Sequence, residues 1–448
     1  MTQQSQQPHQ AQAGIRVQAR WAGAVPGQGP AGRSRILEVD ALRGFALAGI
    51  LVVNLLTTAG PPDSRGLVNV HAADGAVQWL VVLLAQSKFY LLFSFLFGYS
   101  FTLQMDSAAR ADARFVPRMS RRLAGLFVLG LAHAVLLYIG DILMTYALLG
   151  PILLAARNAG LDGVRRAALC VYGVAGGFLL LLGLVAALLG PEGPDGAAAE
   201  QAELTAAYRG GFTEVVGANL KALPDTLAAA LLMGGFVVAA FLLGFVAGRR
   251  QWLGAAVLAD RARLRRICLV GLVVGLPGAA LSAACVVGPL PERWTVLGLA
   301  VGVVTAPALS AAYATGLLLW FGTPGGTAVA RVLAPAGRMA LTNYLTQSLV
   351  MALVFSGYGL GLYGRTGAAA AVGGGLVLYA CQLVLSRWLM RRHRLGPVEW
   401  LLRAVTLWGR PAKAAGATGA AGGPGMSEVP EVPEVSGTPG APGVTEGR

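Results

Sequence analysis

The amino-acid sequence predicts an all-α membrane protein, a polytopic bundle of about ten transmembrane helices with both termini in the cytoplasm. Three observations support this fold class. The 448-residue chain is 55% hydrophobic and 12% charged, whereas soluble domains carry about 25% charged residues. Long apolar runs recur along the chain. Lysine and arginine are clustered between alternate runs, as they are in cytoplasmic loops.

Ten segments have the length and composition of membrane helices. They lie at about 39–58, 76–104, 122–139, 141–156, 168–189, 227–248, 267–287, 295–321, 337–356 and 367–390.

The distribution of basic residues predicts the orientation. If the N-terminus is inside, the inner segments contain 29 lysines and arginines and the outer segments contain 5. Only Lys88 lies deep within a span, far from both of its ends. An excess of basic residues on one side marks the cytoplasmic face, so we expect both termini in the cytoplasm.

The same segments divide the chain into regions. Residues 1–35 and 410–448 are rich in small and polar residues and are expected to be disordered cytoplasmic tails. We expect a transmembrane bundle over 36–189 and a second one over 227–409. The extracytoplasmic connection 190–226 is predicted to carry a surface helix from Ala197 to Leu220, which is either a lid or a simple connector.

The formal charge of +14 does not indicate nucleic-acid binding, because the basic residues do not form one continuous patch. The four cysteines lie in apolar stretches without CxxC spacing or histidine partners. Neither a disulfide framework nor a metal site is therefore expected.

His133 and Asp141 lie in an otherwise apolar hairpin, LAHAVLLYIGDILMTYALLG. An ionisable side chain inside a bilayer is costly and commonly marks a functional site, so His133 is a candidate catalytic residue. Asp141 begins the next helix, where a carboxylate is either a helix cap or a second catalytic group. If both helices were regular, Asp141 would be too far along the axis to orient His133, and Tyr146 would be closer in depth.

Two further polar residues lie deep within predicted spans. Lys88 is too far from either end of its span to reach water easily, so it needs a carboxylate, a carbonyl oxygen or a substrate as partner. Asn54 either bonds to a neighbouring helix or orients a reacting group. Because the spans alternate in direction, Asn54, Lys88 and His133 are expected at similar depth, in the middle to outer half.

Other polar residues are expected towards the cytoplasmic side. Asp40 and Arg43 are three residues apart and share a helix face, as a structural ion pair or as part of a phosphate-binding site together with Arg121 and Arg122. Gly44 and Gly49 allow another helix to approach closely.

The ninth and last spans carry further polar candidates. Asn343 and Gln347 are four residues apart and present two amides on one helix face, where interhelical bonding is the simplest expectation. Glu399 lies in a predicted interfacial helix after the last span and is a possible partner of the inner arginines. With Tyr146, these residues are candidates for substrate contact or structural bonding.

Five stretches together resemble the YeiB-like family of bacterial membrane proteins, whose C-terminal part is a domain of unknown function. They are VDALRGFALAGILVVN, SKFYLLFSFLFGYSFTLQ, GLAHAVLLYIGDILMTYALLG, GRMALTNYLTQS and RLGPVEWLLR. They occur in the family's order between Ile36 and Trp408. The resemblance implies a multi-pass protein of the bacterial cell membrane.

A more remote resemblance concerns the first span. Its D-x-x-R-G motif, followed by Asn54, is similar to the start of transmembrane acetyltransferases typified by heparan-α-glucosaminide N-acetyltransferase. This resemblance implies transfer of an acyl group from cytoplasmic acyl-CoA to an extracytoplasmic or membrane-embedded acceptor, such as a small molecule, glycan or lipid. The histidine that this family has in its first external loop would correspond to His71, although the flanking residues differ.

Three functions are compatible with these residues. In an acyltransferase, inner arginines would hold the acyl-CoA phosphates, His133 would be the general base, and Lys88 or Asn54 would stabilise the oxyanion. In a transporter of a small solute, His133 and Lys88 would exchange protons during alternating access. Pro277 and Pro307 interrupt single predicted spans, and the paired broken helices of many carriers are not expected. The third possibility is a structural or partner-binding membrane protein.

Overall fold

The computed structural model describes residues 31–60, 72–189 and 197–407. Within these ranges the regular secondary structure is entirely helical. The helices are α1 Ala31–Thr58, α2 Ala72–Leu84, α3 Lys88–Arg110, α4 Phe115–Leu136, α5 Leu143–Ala156, α6 Leu161–Leu189, α7 Ala197–Arg209, α8 Phe212–Leu232, α9 Gly234–Arg249, α10 Ala255–Ala259, α11 Arg261–Val286, α12 Thr295–Phe321, α13 Pro324–Arg338, α14 Ala340–Phe355, α15 Ala368–Arg392 and α16 Pro397–Leu407. A short 3₁₀ turn, Glu292–Trp294, precedes α12.

Eight helical segments of the described chain are long and apolar enough to cross a membrane, and α5, α9 and α14 are shorter apolar helices. Each of the ten predicted spans coincides with a helix or with two consecutive helices, which confirms the all-α polytopic fold. Large apolar side chains point outward from α6 and α11, including Val174, Leu189 and Val273. Such outward-facing apolar surfaces suit a helix surrounded by lipid. The orientation and the total of ten crossings stay predictions.

Helix α1 lies at the centre of the bundle. Its most apolar stretch is 61% buried, the highest value among the long segments. A side chain at Gly44 would collide with the Leu333 carbonyl of α13, and one at Gly49 would collide with the Phe89 ring of α3. These glycines permit the close helix approach that the sequence predicts.

Two of the predicted spans are each divided into two helices. The first breaks between α2 and α3, where Ser87 adopts a left-handed conformation with φ 69°. The second is divided at Met233, between α8 and α9. Helices α3 and α9 pack tightly because Gly98 faces the Phe241 backbone and Gly244 faces the Phe95 backbone.

The external connection contains two helices rather than the single surface helix predicted from Ala197 to Leu220. Helix α7 ends at Arg209, and α8 runs from Phe212 to Leu232. The intervening Gly210-Gly211 pair explains the break, since glycine disfavours continuation of a helix. This connection is fixed to the bundle by Asn219, whose amide donates to the Val135 carbonyl at 3.0 Å.

Candidate functional site

The hairpin of α4 and α5 brings His133 and Asp141 together. The Nδ1 atom of His133 lies 2.8 Å from Oδ1 of Asp141, and the side chains are 1% and 0% exposed. The expectation that these residues are too far apart is wrong. It assumed regular helices, whereas α4 ends at Leu136 and the chain folds back over six residues before α5 begins at Leu143.

Asp141 interacts with two groups at once, the His133 imidazole and the Met144 amide. Its Oδ2 atom accepts a hydrogen bond from the Met144 amide at 2.6 Å, so it also caps α5. Both functions considered for this carboxylate are therefore compatible. Gly130, one turn before His133, makes room for it, because a Cβ there would lie 2.6 Å from Oδ2.

The imidazole has one ring nitrogen facing the carboxylate and one without a partner. The Nδ1 atom lies within ion-pair distance of Asp141, but the ring N–H is not aligned for a regular hydrogen bond. The Nε2 atom is buried and makes no hydrogen bond to any described residue. A buried nitrogen without a protein partner is available to a ligand or to water.

Two tyrosines enclose the imidazole. The Tyr344 ring of α14 lies 4.9 Å from the His133 ring, and the Tyr138 ring lies 6.2 Å away. The Tyr138 hydroxyl is 2.6 Å from the Thr57 hydroxyl of α1. The histidine is thus held among three separate parts of the bundle.

Tyr146, which was expected to be closer than Asp141 in depth to His133, bonds to other parts of the bundle. Its hydroxyl is 2.7 Å from the Ser94 hydroxyl and donates to the Tyr90 carbonyl at 3.2 Å. The ring packs against Phe97 and Phe241. Tyr146 therefore joins α5 to α3 and α9.

A partly open cavity of about 400 Å³ lies beside the His133–Asp141 pair. Asp141 and Tyr344, which both adjoin the imidazole, line it, whereas His133 itself is not among the lining residues. The other lining residues come from α1, the α2–α3 break and the start of α3, the α4–α5 connection and α5, and α8 with the start of α9: Ile50, Val53, Asn54, Ala85, Ser87, Phe89, Tyr90, Gly140, Ile142, Thr145, Thr226, Ala229, Ala230, Met233 and Val237. A mostly apolar cavity with few polar groups is typical of a small-molecule site.

Asn54 contributes a free amide to this cavity. Its backbone carbonyl accepts bonds from the Thr57 and Thr58 hydroxyls. Its side chain is half-buried and makes no hydrogen bond to another described residue. Of the two interpretations of Asn54, orientation of a bound group therefore agrees better with the structure than interhelical bonding.

Neither Lys88 nor His133 is among the cavity-lining residues, so only Asn54 of the three residues expected at one depth lines the cavity. The Lys88 side chain is 1% exposed, and Nζ donates to the Val82 carbonyl at 2.8 Å. Val82 lies in the last turn of α2, where carbonyls lack partners within the helix. A carbonyl oxygen was one of the three partners expected for Lys88, and this bond confirms it, although the break that frees the carbonyl was not expected.

The expectation of no paired broken helices is wrong. Both breaks border the cavity, one through Ser87 and the other through Met233. Neither break contains proline, the residue most typical of an interrupted helix. Pro277 and Pro307 lie within single helices, α11 and α12.

The four residues assigned to the inner site lie near the opposite end of α1 and at the start of α4. Arg43 pairs with Asp40 at 2.5 Å and also bonds to the Ser100 hydroxyl. Arg122 lies within electrostatic range of Arg43 and has a buried Nε without a hydrogen bond among the described residues. Arg121 is exposed. Arg43 and Arg122 thus form a basic cluster about 16 Å along the helix axis from Asn54.

Glu399 closes the same end of the molecule. It lies within electrostatic range of Arg122, but its direct bonds are to α14. Its Oε1 atom accepts from the Leu341 and Thr342 amides at 2.8 and 3.0 Å, and Oε2 accepts from the Thr342 hydroxyl. A carboxylate at a helix N-terminus is stabilised by the free amides and the helix dipole.

Asn343 and Gln347 make the interhelical bonds expected from their spacing. Asn343 donates to the Ser386 hydroxyl at 3.0 Å, and Gln347 donates to Gln382 at 2.8 Å. Gln382 in turn donates to the Asn343 carbonyl. This network joins α14 to α15 and does not line the cavity.

Sequence reasoning missed two buried polar residues. Asp74 is fully buried and accepts from the Ala369 amide at 2.8 Å, which caps α15. Asn219 accepts from the Tyr208 hydroxyl at 2.5 Å. Asp74 lies in a segment classified as a loop, where polar residues carry little information, and Asn219 lies in the predicted surface helix, where a polar residue is ordinary. His71 lies outside the described residues.

The fold and this site define a polytopic membrane helix bundle with a buried histidine–aspartate pair beside a small cavity. Residues 247–409 match the family described as "Protein of unknown function (DUF418)". The chain is 31% identical over 400 residues to uncharacterized protein YxaH of Bacillus subtilis strain 168, covering 83% of this chain and 94% of the relative. It is 29% identical over 389 residues to uncharacterized protein YeiB of Escherichia coli strain K12, covering 83% and 96%. The chain belongs to this YeiB-like, DUF418-containing family of multi-pass membrane proteins.

Proposed function

We propose that the protein is a membrane acyltransferase that passes an acyl group from cytoplasmic acyl-CoA to an acceptor bound in the cavity. The observation that carries the proposal is the buried His133–Asp141 pair. A histidine oriented through one nitrogen by a carboxylate, with the other nitrogen free, is arranged to take a proton from an acceptor.

The reaction moves one proton from the acceptor to the leaving thiolate by way of His133, and it replaces the carbon–sulfur bond of the thioester by a bond to the acceptor. The acceptor hydroxyl or amine loses its proton to Nε2 of His133 as its oxygen or nitrogen bonds to the thioester carbonyl carbon. The carbon–sulfur bond then breaks, and the leaving thiolate takes the proton from Nε2. Asp141 stabilises the protonated imidazole in between, and the Asn54 amide donates to the oxyanion.

Binding of the donor is assigned to the inner arginines. Arg43, Arg121 and Arg122 would hold the phosphates, since guanidinium groups match phosphate geometry. Asp40 keeps Arg43 in position. The acyl arm would extend along α1 towards Asn54. In this proposal the protein lies in the bacterial cell membrane, and α1 starts at the cytoplasmic side.

A second candidate function is transport of a small solute. The two interrupted helices at the cavity favour it, because many carriers bind their substrate between broken helices. In that case His133 and Asp141 would exchange a proton with the solution as the solute moves.

One assay separates these functions. Purified protein in detergent is given labelled acetyl-CoA with a mixture of envelope sugars and amines. An acyltransferase produces labelled acceptor in detergent, whereas a carrier moves solute only across sealed vesicles. His133→Ala should abolish the transfer, and His393→Ala, which changes an exposed histidine, should not. Transfer at the normal rate by His133→Ala would refute the proposed mechanism.

A further inference from the structure

Helix α3 begins inside the bundle with free backbone amides. Ser87, the residue before it, is left-handed, and its side chain does not cap the helix. The Lys88 amide bonds to the Ala85 carbonyl, but the amides of Phe89 and Tyr90 have no backbone acceptor in the described part of the chain. Free amides at a helix N-terminus carry a partial positive charge.

A buried positive charge lies at the same position. Lys88 is 1% exposed, and no carboxylate of the described residues lies within ion-pair distance of it. The one hydrogen bond that its side chain makes to a described residue is to the neutral Val82 carbonyl. A buried charge without a counter-ion is strongly unfavourable, so this region favours an anion.

Residues at the start of α3 line the cavity, and so does Thr145 of α5. Ser87, Phe89 and Tyr90 line the cavity. Thr145 of α5 also lines it, is 5% exposed, and makes no side-chain hydrogen bond to a described residue. The nearby carboxylate of Asp141 is already engaged by His133 and by the Met144 amide.

We infer that the N-terminus of α3, together with the Thr145 hydroxyl, is an anion-binding site for a carboxylate or phosphate group of the molecule that occupies the cavity. The amides and the hydroxyl donate hydrogen bonds to the anion, and Lys88 supplies the compensating charge from behind. The further claim, that the acceptor substrate is anionic, rests on the proposed acyl transfer. Binding of the anion itself does not depend on that function.

The test is therefore a binding measurement without turnover. Inorganic phosphate and acetate are titrated separately, by calorimetry at constant ionic strength, into the full-length protein in detergent. Ser87→Asp places a carboxylate beside the free amides and should weaken binding of either anion at least about tenfold, through repulsion or by capping the helix itself. Ser87→Asn is the matched control, because asparagine also tolerates the left-handed conformation but adds no charge.

The outcomes are distinct. Binding of phosphate, acetate or both in wild type and in Ser87→Asn, with the loss in Ser87→Asp, supports the site and tells which anion it prefers. Absence of binding in the wild type, or equal binding in all three proteins, overturns it. Anion binding without any acyl transfer would refute the proposed enzyme while leaving the site intact.

Discussion

Replacement of Gly130 by alanine tests the geometry that brings Asp141 to His133. An added Cβ would lie 2.4 Å from the Met144 amide nitrogen and 2.6 Å from Asp141 Oδ2, so α4 and α5 must separate. Overpacking costs about 1–3 kcal/mol, and weakening the Met144–Asp141 bond costs up to about 1.5–3 kcal/mol. We expect Gly130→Ala to lower the free energy of unfolding by about 2–5 kcal/mol.

The assay is reversible unfolding in mixed micelles with increasing dodecyl sulfate. Gly173→Ala is the control, because a Cβ there meets open space. Alanine in a helix interior is favoured over glycine by about 0.5–1 kcal/mol, so this variant should be as stable as the wild type or slightly more stable. If Gly130→Ala unfolds at the same detergent fraction as Gly173→Ala, the close approach of α4 and α5 is refuted.

Three further predictions concern bonds outside the cavity. Glu399→Gln removes the charge at the start of α14 and should lower the unfolding free energy by about 1 kcal/mol, an effect absent from Asp106→Asn, which changes an exposed acid away from a helix N-terminus; equal stability would show that the cap contributes nothing. In a double-mutant cycle, Gln347→Leu and Gln382→Leu should be coupled by about 0.6–1.7 kcal/mol, and strictly additive effects would argue against their bond. Tyr208→Phe leaves the buried Asn219 oxygen without its donor, so amides of α7 and α8 should exchange hydrogen faster, and an unchanged exchange pattern would contradict the contact.

Much of the fold could be predicted because lipid imposes a simple rule. A backbone that crosses a membrane must satisfy its own hydrogen bonds, so apolar runs such as 168–189 become helices whatever their neighbours. Small residues at positions such as Gly44 indicate close packing for the same reason, since they leave room for a second backbone.

The breaks in the helices were not predictable in this way. The α2–α3 break at Ser87 lies in a sequence without proline or glycine, and its left-handed conformation is enforced by tertiary contacts. Ser310, distant in sequence, bonds to the Lys88 carbonyl at 2.7 Å. Hydropathy averages over such a segment and reports one continuous span.

The candidate site could also be predicted only in part. His133 could be identified from sequence, because an ionisable residue in an apolar run is costly and conspicuous. Its partner could not, since the approach of Asp141 depends on the fold-back between Leu136 and Leu143. Helical geometry alone places the two residues at different depths, and a short irregular connection brings them within 2.8 Å.

The central claim is that His133 and Asp141 act as one catalytic unit, and a kinetic cycle tests it most directly. Rates of acyl transfer from labelled acyl-CoA are measured for His133→Ala, Asp141→Asn and the double variant, with Asp106→Asn as a control at an exposed aspartate. Residues that act as a unit give non-additive losses, so the double variant should be no slower than His133→Ala alone. A double variant slower by the product of the two single effects would contradict the pair.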